Sequence, residues 1–166
     1  MTVEDIRTPL TVRRECEQIF RKAGVEFTPL THQPVLDYQA AADVRRAFLL
    51  TGVETKSLFI KTKKGLYVMF VTTETARVDW KKLRDVVGDR VMQASPEDLT
   101  RETGCRPGCA VPLGLPSSIH LVITQDLLAV PRIIFSPGPP EETLEVSSAE
   151  WNILLAQVAN PVTWYK

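Results

Sequence analysis

The chain lacks an excess of charge of either sign and any long hydrophobic run. Its 166 residues include 20 basic and 20 acidic residues, so the formal net charge is zero. A protein that binds nucleic acid non-specifically usually carries a basic excess, which is absent here. No apolar run approaches the roughly 20 residues that cross a bilayer, and the N-terminus has no apolar signal core. We therefore expect a cytoplasmic location and no membrane partner.

Cysteine and histidine are also scarce. The three cysteines, an odd number, argue against a secreted fold held by disulfides. Cys105 and Cys109 are spaced C-x₃-C with His120 downstream, but a zinc site needs four ligands at more familiar spacings. We therefore predict no metal and no cofactor. At this length, with 44% hydrophobic residues, the chain is expected to form one domain with its own core.

Basic residues are nonetheless clustered in two places. Lys61, Lys63 and Lys64 form the first cluster, and residues 81–84 carry the second. Either cluster can contact a few phosphates. The alternative is a solvated hairpin tip and a solvated helix face, and the sequence leaves both interpretations open.

Apolar periodicity and capping residues predict short strands interrupted by helices. Asp79 and Ser95 are predicted N-caps, and residues 63–65 form a hairpin tip. The predicted helices cover residues 11–23, 38–50, 79–87, 95–103 and 151–158. The predicted strands cover residues 25–30, 55–62, 66–72, 91–94, 119–124, 132–135 and 143–146. This order is typical of a single α+β domain with a mixed sheet and a core over about residues 12–158.

The stretch 103–114 is the most distinctive of the chain, since it holds three glycines and two prolines in twelve residues. Proline restricts φ and glycine permits positive φ, so such a loop keeps an unusual shape without help from side chains. Its central residues 108–112 can direct backbone N–H groups toward a ligand. The simpler interpretation is a rigid turn between a helix and a strand.

Six segments taken together resemble one family. They are THQP at 31–34, TKSLF at 55–59, VDWKKL at 78–83, ASPEDL at 94–99, TG…GCAVPLG within 103–114, and FSPG at 135–138. In this order the chain resembles the bacterial YbaK/ProX proteins, free-standing relatives of the editing insertion domain of prolyl-tRNA synthetase. The resemblance implies a central curved mixed β-sheet flanked by helices. It also implies a trans-editing deacylase that hydrolyses the ester between a wrong amino acid and the 3′ end of a tRNA.

The resemblance implies roles for a lysine and a stretch of backbone. In the family, the lysine of the K-[ST]-L motif contacts the terminal adenosine of the tRNA, which makes Lys56 the corresponding candidate. Gly108, Cys109 and Ala110 belong to the family's G-x-x-x-P loop, whose N–H groups bind the aminoacyl carbonyl and the ribose. Ester hydrolysis passes through an oxyanion, and one backbone donor there supplies on the order of 3 kcal/mol.

No side chain is an evident general base, because the sequence offers no Ser-His-Asp or Cys-His-Asp set. The family motif does not require a cysteine at Cys109, so we do not expect a catalytic thiol. The resemblance implies instead that the 2′-hydroxyl of the tRNA itself orients or activates the attacking water.

The resemblance also indicates which residues contact the substrate. The predicted substrate-binding residues are His32, Leu30, Val111, Pro112, Ser136, Gly138 and Thr143. His32 either lines the pocket or supports the entry to the second helix. Cysteine-selective members carry tyrosine and aspartate where this chain has Leu30 and Thr143, and the histidine typical of alanine-selective members is missing here. A pocket lined by Leu30, Val111 and Thr143 suits a small, weakly polar side chain.

The expected function is therefore deacylation of a small mischarged amino acid from tRNA, with tRNA-Pro as the expected tRNA and prolyl-tRNA synthetase as a candidate partner. One alternative is a tRNA- or synthetase-associated binding module that keeps the fold without turnover. Hydrolysis of another small aminoacyl conjugate is a further alternative, and the neutral net charge is compatible with it.

Overall fold

The structure is a computed structural model that describes residues 6–166. Over these residues it contains five α-helices, a short 3₁₀ helix at Gln125–Leu128 and one eight-stranded sheet. The helices are α1 Pro9–Ala23, α2 Tyr38–Ala47, α3 Trp80–Val87, α4 Pro96–Thr103 and α5 Ser148–Leu155. The strands are β1 Leu30–Thr31, β2 Val53–Thr62, β3 Tyr67–Thr73, β4 Val91–Gln93, β5 His120–Thr124, β6 Arg132–Phe135, β7 Glu142–Ser147 and β8 Val162–Tyr165.

The sheet is mixed, which confirms the predicted α+β class. Its strand order is β1-β7-β6-β2-β3-β5-β8, with β4 added beside β2. The pairs β2–β6, β3–β5 and β5–β8 are parallel, and the remaining pairs are antiparallel. The single domain thus combines a tight β2–β3 hairpin with crossover connections.

The long strand β2 changes its neighbour along one edge. Val53 and Glu54 pair with β6, whereas residues 60–62 pair with β4. Between these two pairings, residues 55–58 have no neighbour on this edge among the strands described. They pair only with β3, on the other edge of β2. A gap therefore opens in the sheet beside the middle of β2.

Apolar residues cover both faces of the sheet. Side chains alternate along a strand, and in β3 Met69 and Val71 join the larger core cluster while Val68 and Phe70 join the smaller one. Helix α1 contributes Phe20 to the larger cluster, alongside other fully buried residues of α1 and α5. Helix α3 covers the opposite face with Leu83, so helices flank the sheet.

Helix α2 ends at Ala47 rather than at residue 50, and α5 spans Ser148–Leu155 rather than residues 151–158. Two larger differences concern strands. The strand predicted at 25–30 is reduced to Leu30–Thr31, because Val25 and Phe27 pack against the core instead of pairing with a strand. The strand β8 was not predicted, although Val162, Thr163 and Trp164 have strong β propensity. It pairs in parallel with β5, so the sheet extends beyond residue 158.

Candidate active site

A cleft of about 360 Å³ occupies the gap beside β2. Residues 54–59 of β2 form its floor, and Gln93–Pro96, between β4 and α4, forms one side. The segment before α2 and the loop 107–110 form another side, and Ser136, Pro140 and the start of β7 complete the wall. The change of neighbour along β2 is therefore the feature of the fold that creates the site.

Lys56 lies on the cleft floor, as the resemblance implied. Its position on β2 is set by pairing with Thr72 of β3. The ammonium donates a hydrogen bond of 2.6 Å to the Ala76 carbonyl, its one hydrogen-bond partner among the residues described. An ammonium carries three N–H donors, so this arrangement positions the charge and leaves donors for an anionic ligand.

Glu54 lies two residues before Lys56 and also lines the cleft, a position that the sequence analysis did not single out. Its carboxylate lies 3.3 Å from the guanidinium of Arg45, which is shared with Glu74 at 3.3 Å. The pKa of Glu54 is raised to about 7, because burial and, to a smaller extent, the charge of Glu74 outweigh the opposing effect of Arg45. The sequence did contain a signal for Glu54, because residues i and i+2 of a strand lie on the same face and Lys56 was already a candidate.

The shape of the loop at 107–110 depends on Gly108. Its φ is +86°, a conformation that side chains rarely adopt. A Cβ at this position would lie 2.7 Å from the backbone oxygen of Leu36, so the loop could not keep its place with a larger residue. The loop is therefore held against the segment that precedes α2, on the wall of the cleft.

The backbone N–H groups of this loop are not equivalent. Cys109 N–H donates to the Arg106 carbonyl at 2.8 Å and is used within the turn. Gly108 N–H and Ala110 N–H make no hydrogen bond to another group within residues 6–166, and both residues line the cleft. Two donors rather than three are therefore available to a ligand.

The thiol of Cys109 is poorly suited to be a nucleophile. It is 8% exposed and donates to the Gly138 carbonyl at 3.6 Å. Burial raises the pKa of Cys109 to about 11, although a hydrogen bond with Ser136 opposes this effect. Nucleophilic attack requires the thiolate, which is a minor species at neutral pH for such a group.

His32 contacts the cleft indirectly, through Thr143. Its Nδ1 lies 2.7 Å from the Gln33 carbonyl, which accepts a hydrogen bond, so Nδ1 carries a proton. In the neutral ring, Nε2 then accepts from the Thr143 hydroxyl at 2.7 Å. Thr143 lines the cleft, and its oxygen keeps acceptor capacity when its proton is donated to His32.

The other predicted substrate residues divide into two groups. Ser136 lines the cleft, where its hydroxyl donates to the Pro139 carbonyl and accepts from Gly138 N–H.

The other four predicted residues, Leu30, Val111, Pro112 and Gly138, do not line the cleft. Leu30 pairs with Thr143 through the backbone, whereas Val111 is 1% exposed in the core. Gly138 allows close packing against α1, since a Cβ there would lie 2.5 Å from the Pro9 oxygen.

The cysteine and histidine positions form no metal cluster in the described part of the chain. No group of three or more His, Cys, Asp or Glu side chains is arranged there to hold a metal. His120 bonds through Nε2 to the Thr163 hydroxyl at 2.6 Å, next to β8. Across residues 6–166 no helix combines the length and apolar character needed to span a membrane.

Comparison with known proteins identifies the family of this chain. The family described as the aminoacyl-tRNA editing domain matches residues 32–153. This chain belongs to that family, which confirms the predicted resemblance.

Solved structures support the same fold. One is the crystal structure of a proposed trans-editing enzyme for prolyl-tRNA synthetase, with 24% identity, a TM-score of 0.74, and coverage of 93% of this chain and 96% of that chain. A hypothetical protein is similar as well, with 21% identity, a TM-score of 0.74, and coverage of 89% of this chain and 96% of that chain. No curated protein is similar enough in sequence to count as a match.

Proposed function

We propose that this protein is an aminoacyl-tRNA deacylase that acts in trans on the ester between an amino acid and the 3′-terminal ribose. The observation that carries the proposal is the cleft, which combines Lys56, Glu54 and two unpaired N–H groups of the loop at 107–110. A cation that binds the nucleotide, a carboxylate with a pKa near 7 and oxyanion donors are groups that can together catalyse ester hydrolysis.

The proposed reaction assigns one task to each group. Lys56 binds a phosphate or ribose oxygen of the terminal nucleotide, while Gly108 and Ala110 N–H bind the ester carbonyl oxygen. Glu54 takes a proton from the attacking water as the C–O bond forms, and the carbonyl becomes an oxyanion. The ester C–O bond then breaks, the proton passes to the departing 3′-oxygen, and a free amino acid and tRNA result. The tRNA 2′-hydroxyl orients the water.

The amino acid that fits this cleft is small. The cleft is partly apolar, and Phe59, Leu99, Ala110 and Thr143 are among the residues that line it. Apolar contacts discriminate by only about 1–3 kcal/mol per methylene, so we expect activity on several small amino acids. The acceptor oxygen of Thr143 favours a substrate with a donor, such as the α-ammonium group. We propose tRNA-Pro as the tRNA because the proposed function of one structural neighbour concerns prolyl-tRNA synthetase.

The proposed function predicts turnover on mischarged tRNA. We expect the purified protein to deacylate at least one small amino acid from a panel of mischarged tRNAs, measured by loss of the labelled amino acid. Substrates ending in 2′-deoxyadenosine should react more slowly, because they lack the hydroxyl that orients the water. Binding of tRNA without turnover of any substrate would instead support the non-catalytic module. An undiminished rate with the 2′-deoxy substrate would remove the 2′-hydroxyl from the mechanism.

A second prediction concerns the backbone of the loop. Gly108→Ala should lower kcat by about 100-fold, because a Cβ 2.7 Å from the Leu36 oxygen displaces the two N–H donors. Cys109→Ala is the matched control in the same loop, since it removes the thiol and leaves the backbone in place. Single-turnover deacylation of both variants checks the prediction. If Cys109→Ala loses activity and Gly108→Ala keeps it, the thiol rather than the backbone acts in catalysis.

A further inference from the structure

The two basic clusters of the sequence meet on one face of the structure. The hairpin tip between β2 and β3 contacts the segment before β4, because Lys63 N–H donates to the Arg90 carbonyl at 3.0 Å. Lys64 N–H donates to the Asp89 carboxylate at 3.1 Å. On the same side, α3 brings Lys81 and Arg84 next to β4.

The segment that forms most of this face is basic, although the whole protein is neutral. Residues 61–93 include eight Lys and Arg and four Asp and Glu, a net charge of +4, so the rest of the chain carries −4. Asp85 lies 3.6 Å from Arg84 and offsets part of this charge. Asp89 accepts from the backbone N–H groups of Lys64 and Arg90. The zero net charge of the whole sequence thus hides a basic segment at residues 61–93.

A groove on this face combines cations with exposed apolar side chains. It is lined by Trp80, Lys81, Arg84, Arg90, Val91 and Met92. Trp80 is 41% exposed and Met92 is 57% exposed, so both present apolar surface beside the cations of the groove. An aromatic ring beside arginine and lysine is the arrangement that binds unpaired nucleotides, through base stacking and phosphate contacts.

Strand β4 connects this groove to the cleft. Val91 and Met92 line the groove, whereas Gln93 and Ala94 line the cleft. A strand advances about 3.3 Å per residue, so the two sites are separated by only about 7 Å along β4. A single strand of RNA with its last nucleoside in the cleft therefore reaches the groove with the nucleotides that precede it.

We propose that the groove between α3 and β4 binds the unpaired nucleotides next to the aminoacylated 3′ end, with a base on Trp80 and phosphates on Arg84 and Arg90. The identity of the RNA rests on the proposed function, whereas binding of single-stranded RNA by this groove does not. Contacts in the groove would add to the affinity for the acceptor end that the cleft provides by itself.

The test compares a long and a short substrate. An aminoacylated minihelix with an unpaired 3′ end occupies both sites, whereas aminoacyl-adenosine occupies the cleft alone. We expect Trp80→Ala to lower kcat/KM for the minihelix about tenfold. The kcat/KM for aminoacyl-adenosine should stay unchanged. Arg84→Ala/Arg90→Ala should also weaken binding of the uncharged minihelix and reduce its log–log salt slope by about one to two. Trp80→Phe, which keeps a ring for stacking, should restore most of the loss.

A control with the same charge change lies on α1. Arg21→Ala/Lys22→Ala removes two exposed cations outside both the groove and the cleft. Equal loss of minihelix affinity in this control and in the groove double variant would overturn the proposal. An equal loss of kcat/KM in Trp80→Ala for the minihelix and for aminoacyl-adenosine would also overturn it. Because binding of the uncharged minihelix needs no turnover, a groove effect on binding without deacylation would contradict the proposed function and leave the groove proposal intact.

Discussion

Lys56→Met is expected to lower kcat/KM for deacylation by about 30- to 100-fold, with little change in thermal unfolding. The reason is that methionine keeps the unbranched stem and removes the ammonium, and a charge-assisted hydrogen bond to an anionic ligand is worth about 1.5–3 kcal/mol. The folded state loses one hydrogen bond, to the Ala76 carbonyl. Deacylation kinetics and a thermal melt on the same preparation measure both effects.

The control for this variant is Lys22→Met, the same substitution at an exposed lysine of α1. It should deacylate at the wild-type rate. A wild-type rate for Lys56→Met as well would show that the cation on the cleft floor plays no part in the reaction, whatever the substrate.

Glu54→Gln is expected to lower kcat by about 100-fold or more, because an amide cannot take the proton of the attacking water. The base acts in its ionised form, so the wild-type rate should rise with pH through about 7, the pKa that burial produces. The residual rate of the variant should not show this rise. A pH–rate profile of both proteins, measured with a single-turnover assay, checks the prediction. An unchanged profile in Glu54→Gln would remove Glu54 from the mechanism and return the task of the base to the tRNA 2′-hydroxyl.

The same residue has a predicted effect on stability. The pKa of Glu54 is raised in the folded state from 4.5 to about 7, so between these values the folded protein binds the proton more tightly than the unfolded chain. The free energy of unfolding should therefore fall as the pH rises from about 4.5 to about 7, by on the order of 2–3 kcal/mol. Glu54→Gln should lack this part of the pH dependence, which urea unfolding at several pH values measures. If Glu54→Gln is less active but more stable than the wild type above pH 7, Glu54 is placed for catalysis rather than for folding.

Local features of this fold were readable from the sequence because they depend on neighbouring residues. Asp79 and Ser95 accept the backbone N–H groups of Lys82 and Asp98, as their predicted capping roles require. Gly108 has the positive φ that the glycine–proline pattern indicates. The hairpin between β2 and β3 also follows from alternation around a short charged tip.

The site was only partly predictable. Lys56, Gly108 and Thr143 were singled out through the resemblance, and all three line the cleft. Leu30 and Val111 were predicted in its wall, but neither lines the cleft, and Val111 is packed in the core. Glu54 was missed, since nothing in its immediate neighbours reveals that Arg45 and Glu74 share its surroundings.

The sequence by itself determined the stiff loop, the helix ends, the alternating strands and the family to which the chain belongs, because these depend on backbone chemistry within a few residues. The tertiary structure alone decided three other features. It placed the cleft where β2 changes its neighbour from β6 to β4. It raised the pKa of a carboxyl group beside Lys56, and it brought the basic hairpin tip and the basic face of α3 to the same side of the molecule. Burial, strand pairing and electrostatic fields join residues that are distant in sequence, so they appear only once the chain is folded.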